Sequence, residues 1–525
     1  MTAAGIRRER LGPLAGAVDD VLAELGERDA VERLWRRDHT LWSDDPTELA
    51  DRLGWLTVAA EMAADAPRLD ALAAGARADG CTHALVMGMG GSSLFPEVLA
   101  RSYGPLDGGL HLSVLDSTAP DAVGRALADV PLERTIFVAS SKSGGTVETR
   151  SHLDLFWERS GRGDRFVAVT DPGSELGELA RSRGFREVFE NRPDIGGRYS
   201  ALSYFGLVPA ALAGIDRAAL LGAAERVTPA LGDPDAAANA GLRLGAVLAA
   251  GVRAGRDKLT LLLDPRIESF GLWLEQLLAE STGKAGTGVI PVADEPLGPL
   301  DVYGDDRLFV AIGDVEQAVG LDVLADAGHP VVHLAFDALA DLGAQVLLWE
   351  VATALCGAAL GINPFDQPNV AEAKAATNAV LSGETPPPAV DPRDLDEVLA
   401  SVRPGDYLAL QAFVDPAAPE VARLEALRLE LRDRHRVATT FGLGPRFLHS
   451  TGQLHKGGPP TGVFLQVVTD DATDAPIPGR PFTFGELLRA QADGDLATLR
   501  AHGLRAARTT AAALAAVLDP RSPTA

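Results

Sequence analysis

The sequence contains little cysteine and no excess of positive charge. Its two cysteines, Cys81 and Cys356, provide neither a disulfide framework nor a C-x-x-C metal pair. The formal net charge is −25, so the basic surface that binds nucleic acid is missing. The amino terminus has no apolar signal core. The longest apolar helix pattern, residues 346–362, contains Glu350 and is expected to be too short and too mixed to cross a membrane. We therefore expect a cytoplasmic protein without a nucleic-acid or membrane partner.

Lysine is scarce as well. Only five of the 48 basic residues are lysine, so arginine supplies most of the positive charge. A lysine that remains is expected where a compact, titratable ammonium is needed. Lys258, which precedes an apolar strand, does not fit this expectation. The other four lie in glycine-rich, serine-rich or motif-bearing stretches: Lys142, Lys284, Lys374 and Lys456.

The order of the predicted elements divides the chain into four parts. Residues 1–75 have the apolar spacing of helices. Residues 76–235 and 236–385 each alternate apolar strands with helices, which is typical of a parallel sheet covered on both faces. A proline-rich linker then leads to a smaller α/β region, residues 395–518, and the tail from Pro520 is expected to be disordered.

A serine- and glycine-rich turn follows the strongest predicted strand. The apolar run at residues 136–139 stops at two serines, and a helix pattern begins near Val147. The turn between them contains Ser141, Lys142, Ser143 and Thr146. Helix amino termini expose unpaired N–H groups, glycine lets an anion approach the backbone, and hydroxyl groups and a lysine add donors. The turn therefore predicts a phosphate site, although no nucleotide-binding motif fits it.

A second turn of the same kind precedes it in the chain. Gly90, Gly91 and Ser92 follow an apolar strand and precede another helix. The carboxyl ends of parallel strands meet at one edge of a sheet, where ligands bind. We therefore expect both turns at the same edge.

Three further stretches carry residues suited to chemistry. Arg198 follows two glycines, which present its guanidinium at a tight bend. Glu280 ends an apolar helix, a position that suits a general base, although taken alone it fits a surface carboxylate near a helix cap. Lys374 lies one turn inside a helix. Residues 447–459 place His449 and His455 in one glycine-rich loop, and no carboxylate or thiol nearby supports a metal site there.

Together these stretches resemble the glucose-6-phosphate isomerase family, which has the sugar isomerase fold. The resemblance covers residues 88–374 and implies an α/β protein with two doubly wound parallel-sheet sugar isomerase domains. The late histidine loop is similar to the isomerase portion of fused transaldolase–glucose-6-phosphate isomerase proteins, but no eightfold βα pattern is present for the transaldolase part. The motifs occur in the family's order: Gly90-Gly91-Ser92; Ser141-Lys142-Ser143 with Thr146 and Glu148-Thr149; Gly196-Gly197-Arg198-Tyr199-Ser200; Glu280-Ser281 with Gly283-Lys284; and Phe365-Asp366-Gln367 with Lys374.

The resemblance implies a role for each matched residue. Glu280 would move a proton between C2 and C1 of the sugar, Arg198 would stabilise the enediolate, and Lys374 with a histidine would open the ring. No metal and no redox cofactor would be needed. The sugar phosphate would be bound by Ser92, Ser141, Lys142, Ser143 and Thr146.

The chain departs from the family pattern at the histidine. The family carries it in a Gly-Gln-His segment soon after the Glu-Ser motif, whereas here His329 and His333 in that interval lie in or beside an apolar strand. We therefore expect either His449 or His455 to take the role. Pro368-Asn369 also replaces the family's aromatic-glycine pair before Lys374.

The expected function is the interconversion of glucose 6-phosphate and fructose 6-phosphate. Two alternatives stay open: a non-catalytic regulator that binds a sugar phosphate, and an isomerase of another sugar phosphate, such as mannose 6-phosphate or an amino sugar. The resemblance also implies a homodimer, unless the appended C-terminal region covers that interface and leaves a monomer.

Overall fold

The structure is a computed structural model that describes residues 5–315, 318–391, 393–469 and 474–518. The tail for which disorder is expected lies outside these ranges.

The amino-terminal part is helical except for its first element. A charged strand comes first and pairs antiparallel with a strand of the second sheet, so the prediction of helices throughout residues 1–75 was wrong for residues 6–10. The helix expected from Glu48 begins only at Val58. The elements are β1 (Ile6–Arg10), α1 (Ala15–Glu27), α2 (Ala30–Trp35), α3 (Val58–Ala64) and α4 (Ala66–Ala78).

The first sheet is wholly parallel, as its buried apolar strands require. Its elements are β2 (His83–Met87), α5 (Leu94–Tyr103), β3 (His111–Leu115), α6 (Pro120–Asp129), β4 (Thr135–Ser140), α7 (Val147–Ser160), β5 (Phe166–Thr170), α8 (Glu175–Ser182) and β6 (Glu187–Glu190). The strand order is β3-β2-β4-β5-β6. Every residue of the central strand β4 is buried. Because β2 and β4 are neighbours, the two glycine- and serine-rich turns that follow them lie side by side.

The second sheet has four parallel strands with β1 at its edge. Three helices lead to it: α9 (Tyr204–Leu212), α10 (Arg217–Leu231) and α11 (Ala240–Arg253). The sheet and its helices are β7 (Lys258–Leu263), α12 (Phe270–Thr282), β8 (Ile290–Val292), β9 (Arg307–Ile312), α13 (Ala318–Asp326), β10 (Val331–Leu334), α14 (Leu342–Leu360) and α15 (Val370–Leu381). The strand order is β1-β10-β9-β7-β8.

Helix α14 is the core of this arrangement. Together with the short turn before it, it is long and apolar enough to cross a membrane by length and composition, which the sequence pattern had not indicated. The apolar window is entirely buried inside the fold, however, and α14 packs against α10 and α11. Its hydrophobicity is therefore explained by burial in the protein core.

The C-terminal region, residues 395–518, forms a third sheet, again parallel. Two of its strands, β12 and β14, have few large apolar residues and were not predicted. The elements are α16 (Arg393–Ala400), β11 (Tyr407–Phe413), α17 (Pro419–His435), β12 (Ala438–Leu443), α18 (Gly452–Gly457), β13 (Gly462–Val468), α19 (Phe484–Ala501), β14 (Arg505–Thr509) and α20 (Ala511–Leu518). The strand order is β12-β11-β13-β14.

Candidate active site

The first serine turn joins β4 to the amino terminus of α7. The Ser141 and Thr146 hydroxyl oxygens lie 3.2 Å apart, and the Gly144 N–H donates to Ser141 Oγ at 3.1 Å. The Gly145 N–H donates to Ser143 Oγ at 3.3 Å. Thr146 makes no side-chain capping bond, so the first turn of α7 keeps N–H groups that an anion can bind.

Lys142 points to the neighbouring strand end. Its Nζ lies 2.5 Å from Asp171 Oδ2 and donates to the carbonyl of Pro193 at 3.0 Å. About a third of the Lys142 side chain is exposed. A phosphate at this turn would therefore compete with Asp171 for the ammonium group.

The glycine turn at Gly90–Ser92 packs tightly against its surroundings. Gly90 has φ +55°, and a Cβ placed on it would lie 2.7 Å from the His449 carbonyl oxygen and 2.8 Å from Gln276 Nε2. The Ser140 hydroxyl donates to the Ser92 carbonyl at 3.0 Å, which ties this turn to the end of β4. The two turns thus form one surface, and the histidine loop lies against it.

Glu280 and Arg198 form a buried ion pair. Arg198 Nη1 lies 3.4 Å from Glu280 Oε1, and the two side chains are 2% and 8% exposed. Arg198 also donates to Ser281 Oγ at 2.7 Å and to the Pro364 carbonyl at 2.7 Å. These bonds hold the guanidinium in place before any substrate arrives. The predicted position of Glu280 in the last turn of its helix is confirmed.

Lys284 lies close to the Glu280–Arg198 pair, because it contacts the Asp366 carbonyl to which Arg198 also donates. Its Nζ donates to the carbonyls of Asn363 and Asp366, each at 2.8 Å, and lies 2.5 Å from Asp366 Oδ1. Burial, with the nearby charge of Arg198, lowers the pKa of Lys284 to about 8. Lys284 therefore anchors the loop that leads into α15, the helix of Lys374.

His449 reaches the first sheet from the C-terminal region. Its Nε2 lies 2.9 Å from Glu148 Oε1, in the first turn of α7. Burial by itself would raise the pKa of Glu148, but the charge and hydrogen bond of His449, with the charge of Lys374, hold the pKa below its ordinary value. The Gln491 amide also donates to Glu148 Oε1, at 2.6 Å.

A pocket of about 130 Å³ opens beside Glu148 and His449. Glu148, His449, Gln491 and the exposed Lys374 line it, together with Gly145 of the first serine turn. Gln276 connects the pocket to the buried ion pair, since its Nε2 lies 3.1 Å from Glu280 Oε2 and 2.8 Å from the His449 carbonyl oxygen. The structure thus brings together the first serine turn, His449 and Lys374, with Glu280 and Arg198 adjacent.

His455 lies on α18, outside the Glu148–His449 pocket. Its Nδ1 is 3.1 Å from Gln411 Nε2, and its ring contacts the rings of Phe447 and Phe464. Burial, with the charge of Lys456, holds the pKa of His455 well below its usual range. Among the described residues that line the Glu148–His449 pocket, His455 is absent. The structure therefore places only one of the two predicted histidines at this pocket.

Three side chains of the site were assigned no role from the sequence. Glu148 belongs to the serine-turn motif, so its position was visible although its partner was not. Gln276 and Gln491 carry no local signal, because each is a single glutamine inside a helix. Within the described residues, no group of three or more His, Cys, Asp or Glu side chains is placed to hold a metal ion.

The two parallel sheets, with the glycine turn at Gly90–Ser92 beside a buried glutamate–arginine pair, have the architecture that the sugar isomerase fold predicts. Solved structures share the fold. A hypothetical protein from Thermus thermophilus has a TM-score of 0.60 at 24% identity and covers 72% of this chain and 100% of its own length. A glucose-6-phosphate isomerase from Chlamydia trachomatis has a TM-score of 0.59 at 20% identity and covers 70% of this chain and 87% of its own. The predicted fold class is confirmed.

The sequence comparisons are more specific. Residues 58–304 match the phosphoglucose isomerase family. A glucose-6-phosphate isomerase from Synechococcus sp. (strain JA-2-3B'a(2-13)) is 31% identical over 57% of this chain, and the match spans 66% of that relative. One from Rubrobacter xylanophilus is 29% identical over 58% of this chain and 83% of its own length. The matched segment is just under half of the chain, so over this segment the chain is similar to the phosphoglucose isomerase family, and the chain spans just under two thirds of the first relative's length.

Proposed function

We propose that this protein interconverts glucose 6-phosphate and fructose 6-phosphate by proton transfer through an enediolate. The observation that carries the proposal is the buried Glu280–Arg198 pair at 3.4 Å, which lies beside the glycine turn at Gly90–Ser92. A protein that only bound a sugar phosphate would need the turns but not a buried base held next to a fixed cation.

The phosphate group is bound at the two turns. Hydroxyl groups and backbone N–H groups at the start of α7 supply neutral donors, and Lys142 supplies a charge once it leaves Asp171. The residues proposed to contact the phosphate are Ser92, Ser141, Lys142, Ser143 and Thr146.

The proton transfer is carried out by Glu280. As a carboxylate it takes the proton from C2 of the open aldose and returns it to C1, while the hydroxyl proton of O2 passes to O1, which gives the ketose. Negative charge develops on the enediolate oxygens during this step. Arg198 stabilises that charge, and its bonds to Ser281 and Pro364 keep the guanidinium oriented without further rearrangement.

Ring opening is assigned to Lys374 and His449. The step moves a proton from the anomeric hydroxyl group to the ring oxygen, so it needs one group that accepts a proton and one that donates it. Both side chains line the pocket at Glu148. His449 is preferred to His455 because His455 is enclosed between aromatic rings away from this pocket.

A coupled assay of fructose 6-phosphate conversion tests the proposal. We expect turnover by the wild type and a fall in kcat of roughly 10²–10⁴-fold in Glu280→Gln, the usual contribution of a general base. Glu275→Gln is the matched control, because Glu275 lies on the same helix but, among the described residues, forms no ion pair with Arg198.

Each outcome of this assay decides one point. A wild type that binds the sugar phosphate without converting it would support the regulator instead. Full activity of Glu280→Gln would remove Glu280 as the base. Assays with mannose 6-phosphate and amino-sugar phosphates determine the substrate range.

The cytoplasmic location, the homodimer and the link to transaldolase fusions stay predictions.

A further inference from the structure

The helix α19 of the C-terminal region reaches the pocket through one buried side chain. Gln491 is 3% exposed, and its Nε2 donates to Glu148 Oε1 at 2.6 Å. Its own Oε1 accepts a hydrogen bond from the fully buried Thr118 hydroxyl group at 2.8 Å. The reverse amide orientation would turn the amide oxygen towards the carboxylate, so the side-chain NH₂ must face Glu148.

A single carboxylate oxygen therefore serves two partners. Glu148 Oε1 contacts both the His449 ring and the Gln491 amide. Burial favours the neutral form of a carboxyl group, whereas a hydrogen bond donated to the carboxylate favours the charged form. An ionised Glu148 accepts the proton of His449 Nε2, and this leaves Nδ1 as the ring nitrogen that can exchange a proton with substrate.

We propose that Gln491 is a positioning residue of the isomerase site, which keeps Glu148 ionised and oriented so that it holds the His449 ring in one tautomer. The inference rests on the proposed function. The C-terminal region then supplies both His449 and the side chain that orients its partner, while Glu148 comes from the segment that matches the family.

The competing explanation is that Gln491 only stabilises the packing of α7 against α19. The Gln491→Met variant distinguishes this structural role from the positioning role. We expect kcat to fall about 10-fold with KM within about twofold of the wild type, because the hydrogen bond to a charged group is lost while the phosphate turns are intact. Losing the donor raises the pKa of Glu148. The acid limb of the kcat profile therefore moves to higher pH by about one unit.

A spectroscopic measurement gives a second readout that does not depend on turnover. In ¹⁵N NMR spectra, His449 of the wild type should show the tautomer protonated at Nε2, and Gln491→Met should show a mixture of both tautomers. Thr118→Val should move the pH profile in the same direction by a smaller amount, because it frees the amide to rotate but leaves the donor in place.

Gln466→Met is the matched control. Gln466 lies on β13 and is equally buried. Its amide donates to the carbonyl of Ala492, which lies on α19 next to Gln491, and not to Glu148. If Gln491 has only a structural role, Gln491→Met and Gln466→Met should both lose thermal stability without any shift in the pH profile. The inference is wrong if Gln491→Met keeps the kcat, pH profile and tautomer of the wild type. A wild type without turnover would instead contradict the proposed function and leave the NMR result to decide the role of Gln491.

Discussion

His449 and His455 share one loop but have opposite surroundings. His449 contacts a carboxylate whose pKa is held low, at a pocket that also contains Lys374. His455 is packed against two aromatic rings, and burial keeps its imidazole neutral. A proton-transfer group needs access to substrate, and His449 is the one of the two that lines the pocket containing Lys374.

Alanine variants of the two histidines should therefore behave differently. His449→Ala should lower kcat on ring-closed substrate by roughly 10²-fold, because a general acid–base group is removed. His455→Ala should mainly lower the thermal midpoint, since it leaves a cavity beside Phe447 and Phe464. Steady-state kinetics and thermal unfolding of both variants check this. Equal turnover by His449→Ala and the wild type would show that ring opening does not depend on His449.

At this scale the sequence was informative where a residue type is rare or belongs to a motif. The roles of Glu280, Arg198 and Lys374 were inferred in this way and stay predictions. Gln491 was not, because its bond to Glu148 joins residues 343 positions apart and depends on how the third sheet packs against the first. No pattern local to either residue contains that information.

The glycine turn after β2 is the element on which the histidine loop rests. Gly90 combines a positive φ with close contacts to the His449 carbonyl oxygen and to Gln276. Both contacts belong to residues that surround the pocket. Any side chain at this position must therefore displace the loop that carries His449.

Gly90→Ala should consequently impair activity as well as stability. Left-handed backbone strain costs about 1–2 kcal/mol in either of two glycine variants, Gly90→Ala and Gly80→Ala. Gly80 has φ +71° and open space where a Cβ would lie, so it controls for strain alone. We expect both variants to lower the thermal midpoint, Gly90→Ala by more because its Cβ must displace the His449 backbone, and we expect a loss of kcat only in Gly90→Ala. Equal kinetic effects would show that the contact with the His449 loop is unimportant.

Helix α7 contains a buried histidine that should make the fold sensitive to acid. The fully buried His152 lies 2.9 Å from the Ser117 carbonyl oxygen through Nε2, and its ring stacks on Phe484 of α19. Burial lowers the pKa of His152 from 6.5 to about 4. Between these values the unfolded chain binds a proton that the folded chain does not, so stability falls as the pH falls below 6.5.

His152→Gln should reduce this acid sensitivity. Glutamine keeps a donor for the Ser117 carbonyl but does not titrate. Between about pH 7.5 and about pH 5, the wild type should lose about 2 kcal/mol more free energy of unfolding than the variant, as measured by urea unfolding. Comparing each protein with itself at two pH values removes the constant cost of the lost stacking. An equal loss in both proteins would assign the acid sensitivity to other groups.

Elements with strong apolar runs were predictable, and charged or short ones were not. Strand β4 is buried along its whole length and was evident from the sequence. Strand β1, Ile6–Arg10, consists mostly of charged residues at a sheet edge, where Glu9 pairs with Arg243 and where pairing with β10 supplies the backbone bonds. Such a strand is specified by its neighbour, which a local pattern does not reveal.

For the whole molecule, the region of the third sheet contributes to the proposed site of the first two. The family match ends at residue 304, whereas His449 and Gln491 belong to the C-terminal region. Lys374 comes from α15, which packs against α19. A single chain therefore holds every side chain assigned to the reaction, and activity should not require a residue from a second copy.

Mixing two inactive variants tests this central claim most directly. Glu280→Gln and His449→Ala are unfolded together, refolded as a mixture, and assayed for fructose 6-phosphate conversion beside wild type treated in the same way. If one chain carries the complete site, the mixture stays as inactive as either variant alone. If copies exchanged these residues across a dimer, half of the dimers would contain one intact site, and about a quarter of the wild-type activity would return. That recovery would contradict a site completed within a single chain.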